Sequence, residues 1–221
     1  MSYSLIEENY RRLRGIIPEH VSIIAVSKTR TADEILEVIN AGAEHIGENY
    51  LQEALPKINA IGPRVKWHMI GHLQSNKISK VLPHFNSVQT VHSVKTATQL
   101  DRQAQTHNCR LEIMLEINIG YENSKHGFLP EQCRAAAIEI SKMKNLALTG
   151  LMCLEPYTEN SSEAKKYFLR MKELFNEISD ITADNNRLRH LSMGLSHSWP
   201  WAVDCGASMV RIGTAIFGGR K

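Results

Sequence analysis

Eight times along the chain, a short run of apolar and β-branched residues is followed by a segment of helical period, and this alternation limits the fold more than any other feature. The runs are "VSIIAVSK" (21–28), "EHIGEN" (44–49), "VKWHMIGHL" (65–73), "NSVQTVHS" (86–93), "RLEIMLEINIG" (110–120), "NLALTGLMCL" (145–154), "LRHLSMGLS" (188–196) and "SMVRIGTAIFGG" (208–219). Strands separated by helices pair in parallel. Eight such units in 221 residues fit a (β/α)8 barrel, a fold of roughly 250 residues that can be as short as about 200. An open doubly wound sheet, which usually needs only about five or six strands, is the alternative. The predicted class is α/β: a single (β/α)8 TIM barrel domain over residues 1–221, with an extra charged helix at its start.

The helical segments carry their own signals. In "TADEILEVINA", Thr31 and Glu34 have capping-box spacing and Ile35, Val38 and Ile39 form the apolar stripe. "QSNKISKVL" reads as the helix after the third strand, and Cys133, Ala136, Ala137, Ile140 and Met143 mark one face of a later helix. The strongest stripe is Ala164, Tyr167, Phe168, Met171, Leu174, Phe175 and Ile178, with Asn160 and Glu163 as a second capping box.

Composition narrows the function classes. Hydrophobic residues at 43% and charged residues at 22% are ordinary for a soluble globular protein. A net charge of +3, with the Lys and Arg residues scattered, gives no nucleic-acid footprint. "MSYSLIEENYRRLRGI" has neither an apolar signal-peptide core nor a cleavage site, and no apolar stretch reaches membrane-span length, so a cytoplasmic protein is expected. The four cysteines stand far apart without zinc spacing, and reduced thiols are expected.

A barrel carries its chemistry at the C-terminal ends of its strands. Lys28 lies there. It is either a solvated rim side chain or, desolvated at an apolar mouth, an amine able to attack a carbonyl as a Schiff-base nucleophile. "SMGLS" and "VRIGT" bring Gly194, Ser196, Gly213 and Thr214 to the last two strand ends, the usual phosphate loops of this fold. The bland reading is that the glycines relieve crowding and Ser196 caps the next helix.

"GTAIFGGR" has the glycine spacing of a Walker A loop without its Lys and Ser/Thr, and "GLSHS" is half a nucleophile elbow. His68 and His72 in "HMIGH" lack the Glu of a zinc helix, so no metal site is expected there. Asn49, His72 and Asn118, all near strand ends, either line a pocket or hold loops.

Taken in order, "AVSKTR", "GENYLQE", "WHMIGHLQSNK", "ENSKHGF", "GLM", "SMGLS" and "MVRIGTAIFGGR" resemble the pyridoxal phosphate-binding homeostasis protein family over most of the chain. That family is similar in fold to the barrel of alanine racemases, the fold type III pyridoxal phosphate proteins. The resemblance implies that Lys28 forms the internal aldimine with pyridoxal 5′-phosphate. It also implies that Ser196 with the backbone at Gly213 and Thr214 holds the phosphate, that Arg211 faces the pyridine nitrogen, and that Asn49, His72 and Met152 line the ring pocket.

A guanidinium at the pyridine nitrogen disfavours its protonation and weakens the ring as an electron sink. Alanine racemases also bring a catalytic tyrosine from an additional domain, for which eight βα units leave no residues here. The implied role is therefore a monomeric carrier or buffer of the cofactor, serving pyridoxal phosphate-dependent apoenzymes. An amino-acid racemase and a Schiff-base phosphosugar aldolase are the rivals. One departure concerns the phosphate loop: where the family has acidic residues after "SMGxS", this chain reads "HSWPW", with Pro200 at the start of a helix. Trp199 and Trp201 are expected to pack on the outer layer.

Overall fold

The computed structural model describes residues 3–181 and 188–219. Helix α1 (Leu5–Ile16) precedes β1 (Ser22–Val26), α2 (Ala32–Asn40), β2 (His45–Glu48), α3 (Leu51–Ile61), β3 (Lys66–Met69) and β4 (Ser87–Val91). There follow α4 (Val94–Thr106), β5 (Leu111–Ile117), α5 (Cys133–Ile140), β6 (Leu146–Cys153), α6 (Ser161–Ser179), β7 (His190–Ser192), α7 (Trp199–Asp204), β8 (Met209–Ile212) and α8 (Thr214–Phe217). The strands pair in sequence order, all in parallel, and β8 returns to β1 with Ile24 opposite Arg211, so the sheet closes into a barrel.

Closure gives each strand two buried faces, which is why the runs read as nearly continuous apolar stretches. One face packs against the helices in the main core, where Ile23, Ala25, Ile46, Ile113 and Ile212 meet Val38, Ala54, Leu100, Phe168 and Ile216. The other fills the lumen, where Ile24, Met114, Met152 and Met209 form a separate small cluster. Helix α1 covers the closing seam: its Asn9 donates to the Ile216 carbonyl at 3.1 Å, and Arg14 closes its C-terminal end on the carbonyls of Ile17, Pro18 and Val21.

The α2 capping box forms as expected, with Thr31 Oγ1 accepting from Glu34 N and Glu34 returning to Thr31 N. That of α6 is only half made. Asn160 accepts from the N–H groups of Ser162 and Glu163, but Thr158 intervenes on the return side, donating to Glu163 and accepting from Asn160 N. All four cysteines are free, three of them buried.

Three expectations are corrected. The segment after β3 is a 3-10 turn over Ser75–Lys80 in place of an α-helix, because Pro83 cuts the run before an α-helical ladder can extend. Met143 lies beyond the end of α5, packed against the core from a loop. The strands also stop earlier than the apolar runs: β1 ends at Val26, β8 at Ile212, and "TAIF" is α8.

Candidate functional site

Lys28 sits two residues past the end of β1, on the same side of the alternation as lumen-facing Ile24. The turn carrying it is tightly fixed. Ser27 N donates to the Gly47 carbonyl at 3.0 Å, Arg30 N to the Ser27 carbonyl at 3.0 Å, and Thr29 N to the Glu53 carboxylate at 3.1 Å. Thr29 has a φ of 64°, an uncommon conformation for a β-branched residue, so the chain turns sharply just after the lysine. Behind it, Lys57 of α3 donates to the Ser27 carbonyl at 2.9 Å and to buried Glu48 at 2.8 Å. Burial pushes Glu48 above the usual carboxylate range, against the pull of its bonds to Lys57 and Ser27.

A cavity of about 250 Å³ opens at this strand end, and half-buried Lys28, Ser196, Arg211, Gly213 and Thr214 all line it, with Val26 and His197. These residues come from strand ends far apart in sequence, and barrel closure brings them together. The β7–α7 loop is built to present Ser196. Gly194 has a φ of +91°, and a Cβ there would fall 2.6 Å from that of Ala202, so only glycine fits. Ser198 locks the loop by accepting from Leu195 N at 2.9 Å and donating to buried Glu155. The Ser196 hydroxyl does not cap α7; it accepts from Gly213 N at 3.2 Å and Ala215 N at 3.4 Å, joining the last two loops.

The "HSWPW" departure is accommodated. Pro200 falls in the first turn of α7, where the backbone N–H groups have no helical partner anyway. Trp199 and Trp201 pack against the main core, as expected.

Arg211 is buried at 2% exposure on β8. It donates to Ser192 Oγ at 2.6 Å and to the Cys153 carbonyl at 2.5 Å. Burial lowers its pKa, opposed by Cys153, Glu155 and Glu116 nearby.

The other three expected residues stand elsewhere. Asn49 and His72 line a separate depression of about 310 Å³ with Met69, Gly71 and Lys77. Exposed His72 stacks on His126 with ring centroids 3.8 Å apart, and its pKa is lowered by desolvation and then by His126 and His92. Met152 is fully buried in the lumen cluster. Asn118 holds a loop, bonding both the N–H and the carbonyl of Glu122.

Sequence reasoning weighed His68 only as a metal ligand and missed the other polar residues of the lumen, Gln89, Glu116 and Ser192; all four are buried. The available signal was a polar residue at alternate positions within otherwise apolar runs, as in "VQTV" and "MLEI". Among the described residues, no group of three or more His, Cys, Asp or Glu is arranged to hold a metal ion. Nor is any helix there long and apolar enough to cross a membrane.

A closed parallel barrel with a lysine at the mouth of β1 and a buried arginine on β8 defines a barrel of the alanine racemase type, and the model of the family "Alanine racemase, N-terminal domain" matches residues 1–221. The solved alanine racemase of Clostridium difficile in complex with cycloserine shares the fold at a TM-score of 0.83 and 15% identity, over 97% of this chain and 59% of the racemase. Within that class, the chain is 41% identical over 204 residues to the pyridoxal phosphate homeostasis protein of Haemophilus influenzae, covering 91% of this chain and 86% of the relative. It therefore belongs to the pyridoxal phosphate homeostasis protein family. PipY of Synechococcus elongatus has been solved without and with pyridoxal phosphate bound. The respective TM-scores are 0.91 and 0.88, at 35% and 34% identity, over 96% of this chain and 100% of PipY.

Proposed function

We propose that this protein binds pyridoxal 5′-phosphate in the cavity at Lys28 and acts as a carrier that buffers the cofactor and yields it to apoenzymes. The observation that carries this reading is the meeting of an amine, a buried cation and two loop backbones in one cavity. The relative solved with pyridoxal phosphate bound supports it. When bound, the cofactor supplies an aldehyde that condenses reversibly with amines.

In this reading, Lys28 anchors that aldehyde carbon. Ser196, Gly213 and Thr214 receive the phosphate; the N–H groups of Gly213 and Ala215, which donate to the Ser196 hydroxyl in this structure, gather donors at the point where an anion would rest. Arg211 faces the ring nitrogen and keeps it unprotonated, which restrains carbanion chemistry. Asn49 and His72, which line a depression of their own in this structure, and Met152 of the lumen would border the ring. The whole chain works as one monomeric domain in the cytoplasm.

Protein loaded with pyridoxal phosphate and freed of excess cofactor should restore activity to a cofactor-stripped aminotransferase. It should turn over L- and D-amino acids no faster than free pyridoxal phosphate does. Turnover above that rate, lost in Lys28→Ala, would replace the carrier with a racemase. Failure to take up the cofactor, with a phosphosugar trapped on borohydride reduction instead, would favour an aldolase.

A further inference from the structure

A continuous line of hydrogen bonds crosses the barrel lumen beneath the cavity. Arg211 Nη1 donates to Ser192 Oγ at 2.6 Å, and Ser192 Oγ donates to Gln89 Oε1 at 2.8 Å. Gln89 Nε2 stands 3.2 Å from His68 Nδ1, and His68 Nε2 stands 2.9 Å from His45 Nδ1. These residues lie on β8, β7, β4, β3 and β2, so the bond between β7 and β4 spans the barrel from one side to the other.

The direction of every link follows from its first member. A guanidinium can only donate, so Ser192 accepts from it and turns its proton to Gln89. The amide then presents its oxygen to Ser192 and its NH2 to His68, which makes Nδ1 of His68 the acceptor and places its proton on Nε2, toward His45. A proton added at His68 Nδ1 would face the Gln89 NH2 group; the Ser87 hydroxyl, 3.3 Å from the same nitrogen, is a second group able to donate to it. Desolvation and the neighbouring His45, His190 and Lys66 also oppose that proton, and push His68 down to about 3. His68 is therefore a neutral, fixed dipole, and the line does not conduct protons. The charged and titratable groups facing Arg211 itself are Glu116, Glu155 and Cys153.

We propose that Gln89 and His68 are positioning residues for Arg211: with Ser192 they form a spine that fixes the aim of the guanidinium into the cavity. The inference rests on reading that cavity as the cofactor site. A pyridine nitrogen has one lone pair and would accept a single N–H, so a guanidinium serving it would need a fixed aim, and Arg211 has two anchors to set that aim, the Cys153 carbonyl and this spine.

Gln89→Leu keeps the bulk and deletes both links; Gln89→Met serves if the leucine variant does not fold. The readouts are the visible absorption of bound pyridoxal phosphate titrated against pH, its dissociation constant, and the 15N shifts of the His68 ring in cofactor-free protein. Wild type should show the Nε2–H tautomer of His68. The folded variant should weaken that preference, which Ser87 and His45 still support, bind the cofactor roughly tenfold more weakly, and raise the midpoint of the absorption titration by about half a pH unit as the cation loosens. A lower melting temperature with midpoint and affinity unchanged would mean that the spine only stabilises the barrel, and overturns the inference. No cofactor uptake by wild type would instead overturn the reading of the cavity, and the inference with it.

Discussion

Glu116 stands on β5 at 7% exposure, and among the described residues its Oε2 has no hydrogen-bond partner. Desolvation raises its pKa from the ordinary 4.5 to about 7, with the Arg211 charge pulling the other way. The folded state thus holds this proton more tightly than the unfolded chain does. The stability it contributes is full below pH 4.5 and lost as pH rises to about 7. Removing the ionisable group should remove that loss: Glu116→Gln should be more stable than wild type by about 2–3 kcal/mol at pH 8 and equal to it near pH 4, in urea denaturation across that range. A wild-type profile with the same slope as the variant between pH 5 and 7 would show that Glu116 ionises freely. Its signal in the sequence was slight. "RLEIMLEINIG" reads as an apolar strand, and nothing in one chain tells an inward glutamate from an outward one until the register is known.

Between β1, β2 and α3, the Lys57–Glu48–Ser27 group does for the strand end what packing alone cannot: it fixes the backbone from which Lys28 projects. Glu48 is fully buried and Lys57 is 8% exposed, so each charge depends on the other. Lys57→Met should cost about 3–5 kcal/mol, because it leaves a buried carboxylate uncompensated. Adding Glu48→Gln should recover much of that loss. Urea unfolding of the two variants decides it: equal destabilisation would show that Lys57 matters for its packing and not for its charge. Element boundaries were the least legible feature at this scale. Apolar runs overstate strands, since residues such as Leu73 and Ile119 stay buried after the parallel ladder has ended, covered by loops at the barrel mouth. The turn after β3 has buried residues at helical spacing in Ile78, Val81, Leu82 and Phe85, yet Pro83 has no N–H with which to continue an α-helical ladder.

For the whole molecule, the closed barrel was legible because eight parallel strands buried on both faces leave a rhythm that few other folds share. Lys28, Ser196, Arg211, Gly213 and Thr214 were legible as strand-end residues carried by motifs, and closure explains why one cavity gathers them. Asn49 and His72 line a different depression, which the sequence did not indicate, since a motif gives a loop but not the depression its side chains enter. The lumen spine was hidden for a different reason: it joins five strands, and its bonds exist only once β8 has met β1. The central claim is that Lys28 holds the cofactor covalently. It is tested most directly by adding pyridoxal phosphate to wild type and to Lys28→Ala, reducing both with borohydride, and mapping the modified peptide by mass spectrometry. The account predicts one phosphopyridoxyl group on Lys28 in wild type and none at this site in the variant, with the visible band of the bound cofactor lost. An unchanged band in Lys28→Ala, with the label on another lysine, would contradict it.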